Sequence, residues 1–114
     1  MEITLSMVDG IPLFQLVGRL DATTSPVLEE RLQPVVEEAV SKIIFGCEDL
    51  SYVSSAGLRI FLSTQRHLVA RGGGVAFTSP AKPVRDLFHL AGLEELFLIE
   101  ESPAAAAARL NAAK

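Results

Sequence analysis

The chain has 114 residues, which is enough for one domain with one hydrophobic core and too few for two ordinary domains. Hydrophobic residues make up 49% of it, but no apolar run reaches the length of about 18 residues that a membrane-spanning helix needs. The net charge is −4 and the 10 basic residues are scattered, which argues against a nucleic-acid partner because such binding depends on clustered Lys and Arg. We therefore predict a single domain over residues 1–114, without direct membrane insertion.

The start of the sequence carries no signal for export. Residues 1–4 lack the basic stretch and the apolar stretch of a signal peptide, so we expect a cytoplasmic protein. The single cysteine, Cys47, lies in an apolar run, where a small buried side chain is a better interpretation than a reactive thiol.

Two strands joined by a tight turn are predicted at the start of the domain. Apolar residues alternate along 3–8, Asp9-Gly10 is typical of a hairpin turn, and a second strand follows over 11–17. The segment 18–21 ends this second strand.

A helix and a buried strand should follow the hairpin. Ser25-Pro26 is typical of an N-cap with Pro at the first helical position, and apolar residues continue with a helical period to Val40. Pro34 should kink this helix. The short apolar run 42–47 then predicts a central strand that is buried on both faces.

An amphipathic helix is predicted from Ala56 to Arg71. Its core face is expected to carry Leu58, Phe61, Leu62, Gln65, Leu68 and Val69. Ile60 lies off that face, near Thr64 and His67, and is therefore expected to be available to a partner. The glycine run 72–74 should end the helix, because glycine readily adopts the left-handed conformation that follows a C-cap.

Three further elements and a tail follow the glycines. We predict a strand over 75–78, a helix that follows Ser79-Pro80 and runs to about Ala91, and a short strand over 97–99. The residues expected to face inward from that helix are Val84, Leu87, Phe88 and Leu90. An alanine-rich helix should begin at Ser102-Pro103 and continue toward the end of the chain with little packing. The order ββαβαβαβα predicts an α/β fold with a mixed, mostly parallel sheet of about five strands and four helices.

The junction before the amphipathic helix is the predicted working site. It carries two adjacent hydroxyls, Ser54 and Ser55, followed by the small residues Ala56 and Gly57. A helix start has unpaired N–H groups and the positive end of the helix dipole, so a serine there can cap the helix or hold a phosphate. A capped helix start is the simpler interpretation. The second hydroxyl, which a cap does not require, and the position of Ile60 favour a surface for a partner.

The sequence gives little support to an enzyme. Val53 occupies the position where the nucleophile elbow of a serine hydrolase needs glycine, and the two histidines, His67 and His89, could serve Ser55 only if folding brought one beside it. Two histidines and one cysteine do not form a metal-ligand pattern. The glycine run lacks the residues that complete a phosphate-binding loop, so we predict no catalytic residue, metal or cofactor.

Residues 49–59, which read Asp-Leu-Ser-Tyr-Val-Ser-Ser-Ala-Gly-Leu-Arg, closely resemble the signature of STAS-domain proteins, the anti-sigma factor antagonists. The resemblance covers nearly the whole chain and includes Gly-Arg-Leu-Asp at 18–21, Pro-Val-Arg-Asp-Leu-Phe at 83–88 and Ala-Gly-Leu at 91–93. It implies a STAS-like fold and a role in partner switching.

The resemblance also implies a mechanism. In this family a serine at the helix start is phosphorylated by a serine kinase that is also an anti-sigma factor, and a metal-dependent phosphatase removes the phosphate. That serine aligns with Ser55, and Ser54 is the alternative acceptor. The residues that we expect to contact a partner are Asp21, Ser54, Ser55, Ala56, Gly57, Arg59 and Ile60. Asp21 aligns with an acidic residue near the phosphoserine loop, although a turn or loop cap explains it equally well.

This chain departs from the sporulation members of the family at three positions of the signature. Ser54 replaces an Asp, Ala56 replaces a second hydroxyl residue, and Arg59 replaces a Gly. Similar variants occur in partner-switching regulators beyond sporulation. Some STAS proteins are instead accessory subunits of lipid-transport ATPase complexes, and that is the alternative function for this chain.

Overall fold

The computed structural model describes residues 1–112 and confirms the predicted order of elements. The strands are β1 (Glu2–Val8), β2 (Ile11–Leu20), β3 (Lys42–Val53), β4 (Gly74–Thr78) and β5 (Leu98–Glu100). The helices are α1 (Ser25–Glu37), α2 (Ser55–Val69), α3 (Lys82–Leu90) and α4 (Pro103–Ala112). The last two residues of the predicted tail, 113–114, lie outside the described part. None of the helices described is both long and apolar enough to span a bilayer.

The five strands form one mixed sheet in the order β1-β2-β3-β4-β5. β1 and β2 are antiparallel, and each of the next three pairs is parallel, as the element order predicts. The two turn residues between β1 and β2, Asp9 and Gly10, have φ values of 49° and 81°. Both values are left-handed, which is the conformation of a two-residue hairpin turn whose twist matches the strands.

Helices cover both faces of the sheet, but unequally. α1, α2 and α3 cover one face and enclose the larger core, in which all six phenylalanines are buried. Phe45 of β3 lies 4.9 Å, centroid to centroid, from Phe61 of α2, and Phe77 of β4 lies 5.0 Å from Phe88 of α3. These contacts fix α2 and α3 against the centre of the sheet. Cys47 is fully buried in the same core, as predicted.

α4 covers the opposite face and packs more closely than the sequence suggests. Ala106 and Ala107 are fully buried and Leu110 is 4% exposed. They pack on a smaller cluster that contains Ile11, Leu13, Ile44 and Ala76. The expectation of little packing was therefore wrong, because alanine side chains are small enough to let a helix approach the sheet.

The glycine run after α2 ends the helix, as predicted. Gly72 has a φ of 85°, and the N–H groups of Gly72 and Gly73 donate to the carbonyls of Val69 and Leu68 at 2.9 Å. This is the paired hydrogen-bond pattern of a Schellman C-cap. A Cβ at Gly73 would lie 1.6 Å from the carbonyl oxygen of Ser41, so the next loop also requires glycine there.

Several element boundaries differ from the predictions. β3 continues to Val53, because pairing with β2 resumes at Asp49 and again at Tyr52 after two register shifts, although Glu48, Asp49 and Ser51 interrupt the apolar pattern. α1 ends at Glu37, one turn after Pro34, instead of Val40. The N-caps of α1 and α3 are Thr24 and Ala81, and Pro26 and Pro83 lie in their first turns.

Two residues expected in the core are exposed. Val69 is 53% exposed at the end of α2, and Leu90 is 84% exposed at the end of α3. Both are the last residue of their helix. The helical period assigns such residues to a face, but the sheet does not extend far enough to cover them.

Candidate functional site

The predicted working site lies where β2 and β3 end together. Leu20, the last residue of β2, pairs with Val53, the last residue of β3. The N–H of Ser54 donates to the carbonyl of Leu20 at 2.8 Å, which continues the pairing one residue beyond the strand. The loop that follows β2 therefore begins beside the start of α2, at the carboxyl edge of the parallel strands, where α/β sheets commonly place their sites.

Ser54 caps α2. Its backbone is extended, with φ −86° and ψ 174°, and its Oγ accepts a hydrogen bond from the Gly57 N–H at 3.3 Å. The carbonyl of Ser54 accepts from the Leu58 N–H at 2.9 Å. Ser54 thus has the backbone and side-chain geometry of an N-cap. Ser55 is the first helical residue and is exposed. The cap and the exposed hydroxyl are therefore two different residues.

Gly57 brings the helix into close contact with the two strand ends. A Cβ at this position would lie 2.8 Å from Cγ and Cδ2 of Leu20 and 3.0 Å from Cγ1 of Val53. Leu20 and Val53 are both buried, so neither side chain has free space into which to move. The absence of a side chain at Gly57 therefore lets α2 approach the ends of β2 and β3 closely.

Asp21 organises the loop after β2. Its Oδ1 accepts from the N–H groups of Thr23 and Thr24 at 3.0 and 3.1 Å, and the Thr24 Oγ1 accepts from the Asp21 N–H at 2.9 Å. These bonds give Asp21 the role of a turn cap, one of its two predicted roles. The Thr24 N–H contributes most to lowering the pKa of the Asp21 carboxyl, and Arg19 adds a weaker electrostatic contribution.

An arginine and a tyrosine lie beside Asp21. The guanidinium carbon of Arg19 lies 4.3 Å from the centroid of the Tyr52 ring, and its Nε lies 3.9 Å from Oδ2 of Asp21. Tyr52 is 41% exposed. Neither residue is predicted from the sequence, because the cation–π contact joins two strands and has no local sequence pattern.

A largely apolar groove of about 580 Å³ runs between the start of α2 and α3. Ser54 and Ser55 line it, and the other lining residues are Ser51, Tyr52, Val53, Leu58, Pro83, Asp86, Leu87 and Leu90. The exposed Leu90 side chain lies at this groove. The contribution of α3 to this groove is not predictable from local sequence, since only the fold brings α3 beside Ser55.

The other predicted partner residues lie around the start of α2, although not all are accessible. Ala56 and the exposed Arg59 line a second groove, between α1 and α2. Ile60 also borders that groove but is only 7% exposed. The expectation that Ile60 is freely available was wrong, because α1 packs against α2 and buries a second stripe of it, including Thr64.

Neither histidine is placed to activate Ser55. Nδ1 of His67 lies 2.9 Å from the carbonyl of Ser63 in the same helix, and Nδ1 of His89 lies 2.5 Å from Oε1 of Glu94. Glu94 raises the pKa of His89. Neither histidine lines the groove beside Ser55. Within residues 1–112, no group of three or more His, Cys, Asp or Glu side chains is placed to hold a metal ion.

Comparison with known proteins identifies the family. The model of the STAS domain family matches residues 2–106. The chain is 30% identical to the anti-sigma-B factor antagonist of Bacillus subtilis over 81 residues, which are 71% of this chain and 73% of that protein. The chain therefore belongs to the STAS domain family.

Two solved structures of an anti-sigma factor antagonist are similar to this chain over nearly its whole length. The anti-sigma factor antagonist SpoIIAA in its unphosphorylated form matches with a TM-score of 0.83 and 26% identity, over 97% of both chains. The Bacillus cell fate determinant SpoIIAA in its phosphorylated form matches with a TM-score of 0.74 and 25% identity, over 95% of this chain and 98% of that one. The resemblance to anti-sigma factor antagonists is confirmed. These are regulatory proteins that act through binding and are not enzymes.

The two serines should differ in their effect on stability. We expect Ser54→Ala to lower the free energy of unfolding by about 1 kcal/mol, because it removes the cap of α2. Ser55→Ala should change it by less than about 0.5 kcal/mol, because Ser55 is exposed and alanine favours helix. Urea unfolding of both variants measures the difference, and a larger cost for Ser55→Ala would contradict this division of roles.

Proposed function

We propose that this chain is an anti-sigma factor antagonist of the partner-switching type. Its unphosphorylated form binds a serine kinase that is also an anti-sigma factor. The kinase phosphorylates Ser55 and thereby ends the binding. A metal-dependent serine phosphatase restores the unphosphorylated form. The observation that carries this proposal is that Ser55 is exposed beside an apolar groove while Ser54 caps the helix.

The position of Ser55 suits a phosphate acceptor. Its hydroxyl is accessible to a kinase, and it does not serve as the cap of α2. Ser54, the alternative acceptor, is less exposed and its Oγ accepts a hydrogen bond from Gly57. Phosphorylation of Ser54 would disturb the cap, whereas phosphorylation of Ser55 leaves it in place.

The fold should tolerate a phosphate at Ser55. A phosphoserine carries a charge of about −1.5 to −2 at neutral pH. The positive end of the helix dipole and the free N–H groups of the first turn stabilise negative charge at this position. α2 has no acidic residue in its first turn to repel it. The phosphate should therefore act on the partner interface and not on the fold.

The groove between α2 and α3 supports a mechanism by which the charge would end binding. Its exposed or half-buried apolar residues, Tyr52, Leu58, Leu87 and Leu90, offer a surface that a partner can bury next to Ser55. Burying a dianion there costs free energy that burying a neutral hydroxyl does not. A penalty of about 3 kcal/mol would weaken binding about a hundredfold. That change is large enough for a switch.

Charge at position 55 should decide whether the kinase is captured. We expect Ser55→Asp to weaken binding to the cognate kinase at least tenfold, because the carboxylate would be buried at the interface. Ser55→Asn has nearly the same size without the charge and should bind much more tightly than Ser55→Asp. Titration of both variants against the purified kinase by calorimetry measures the difference. Equal affinity of Ser55→Asp and the wild type would refute the mechanism.

The groove can be tested separately from the serine. We expect Leu90→Ser to weaken kinase binding about tenfold, because it removes an exposed apolar side chain from the groove beside Ser55. Leu96→Ser is the matched control, since Leu96 is 52% exposed but does not line this groove. Both variants should fold, because Leu90 is largely in solvent and about half of Leu96 is exposed. Equal loss of binding in the two variants would place the interface elsewhere.

A further inference from the structure

We propose that Arg59 is the internal counter-ion of the phosphorylated site, which it binds through an ion pair with the phosphoryl group on Ser55. The inference rests on the proposed phosphorylation of Ser55 and adds a residue that takes part in its regulation.

Helix geometry puts the two residues within reach of each other. Ser55 and Arg59 are four residues apart in α2, and both are exposed. Side chains at this spacing lie on the same face of a helix with their Cβ atoms about 5–6 Å apart. The order is also the favourable one, with the anion on the N-terminal side and the cation on the C-terminal side.

The other cations near the site are already engaged. Arg19 lies 3.9 Å from the Asp21 carboxylate and stacks on Tyr52. Lys82, at the start of α3, donates a hydrogen bond of 2.8 Å to Asp86. Both of these cations therefore already have a carboxylate partner.

Arg59, in contrast, forms no ion pair within the described residues 1–112. Within residues 1–112, no carboxylate lies within 4.0 Å of the Arg59 or Arg66 guanidinium, although Glu29 lines the same groove as both. Arg66 lies seven residues further along α2 than Arg59, which is about 10 Å along the helix axis. It is therefore too distant from Ser55 to replace Arg59.

The surface changes in two ways when Ser55 is phosphorylated. The phosphate adds negative charge beside the groove between α2 and α3, and the ion pair draws the Arg59 guanidinium out of the groove between α1 and α2. A partner that contacts the unphosphorylated protein through Arg59 loses that contact at the same time as it meets the phosphate. The ion pair also partly neutralises the phosphate, so the phosphorylated form should be somewhat more stable than it would be without Arg59.

The test uses protein with phosphoserine installed at position 55 during translation, so that it does not depend on any kinase. The wild type, R59A and R66A are compared by ³¹P NMR across the second ionisation of the phosphate. We expect the ratio of dianion to monoanion at a given pH to be about threefold lower in R59A than in the wild type. R66A, the control, should match the wild type. The neighbouring charged groups, including Asp21, Asp86 and Glu29 and both histidines, are the same in all three proteins.

Two results would overturn the inference. The first is that the phosphate has the same titration curve in R59A and the wild type. The second is that the titration curve shifts equally in R59A and R66A, which would indicate an effect of the protein's overall charge and not of an ion pair. Either result leaves the proposed switch intact, because the switch is tested by kinase capture with Ser55→Asp and Ser55→Asn. Conversely, a chain that no kinase phosphorylates could still show the ion pair in this experiment.

Discussion

The close contact between the start of α2 and the ends of β2 and β3 is the constraint on which the site depends. Gly57 lets the helix sit directly on Leu20 and Val53, and the Ser54 N–H completes the strand pairing by donating to the Leu20 carbonyl. The first turn of α2 consequently has one position relative to the sheet. Ser55 projects from that turn, so the rigid junction of two buried strands determines where its hydroxyl lies.

A rigid junction is well suited to a switch that works through charge. Because Ser54 holds the helix start, a phosphate on Ser55 can change the electrostatics of the surface without unfolding its first turn. The apolar groove beside it provides the surface where a partner would experience that change. Arg59, one turn further along, would then set how much of the new charge the protein itself compensates. In the proposed switch, binding involves the groove between α2 and α3, whereas modification and compensation belong to two separate side chains of α2.

Local sequence patterns predicted most of the fold and the serine cap at the start of α2. The hairpin turn, the cap before α2 and the glycine stop after it are encoded within a few adjacent residues, and they were found. The errors arose where distant segments meet. Ile60 is buried by α1, Leu90 is left exposed beside α2, and Ala106 and Ala107 pack because the second sheet face is open to a helix. For the same reason the sequence did not reveal the groove between α2 and α3.

The most direct test of the account is the chemical state of Ser55 in the cell. Protein isolated from its own cells should be measured by intact mass with fragmentation mapping, before and after treatment with a metal-dependent serine phosphatase. If Ser55 is the switch, one removable phosphate should be found on Ser55, in a fraction of molecules that varies with growth condition. Absence of phosphate under every condition would contradict it and favour an accessory subunit in which the two serines only form the start of a helix.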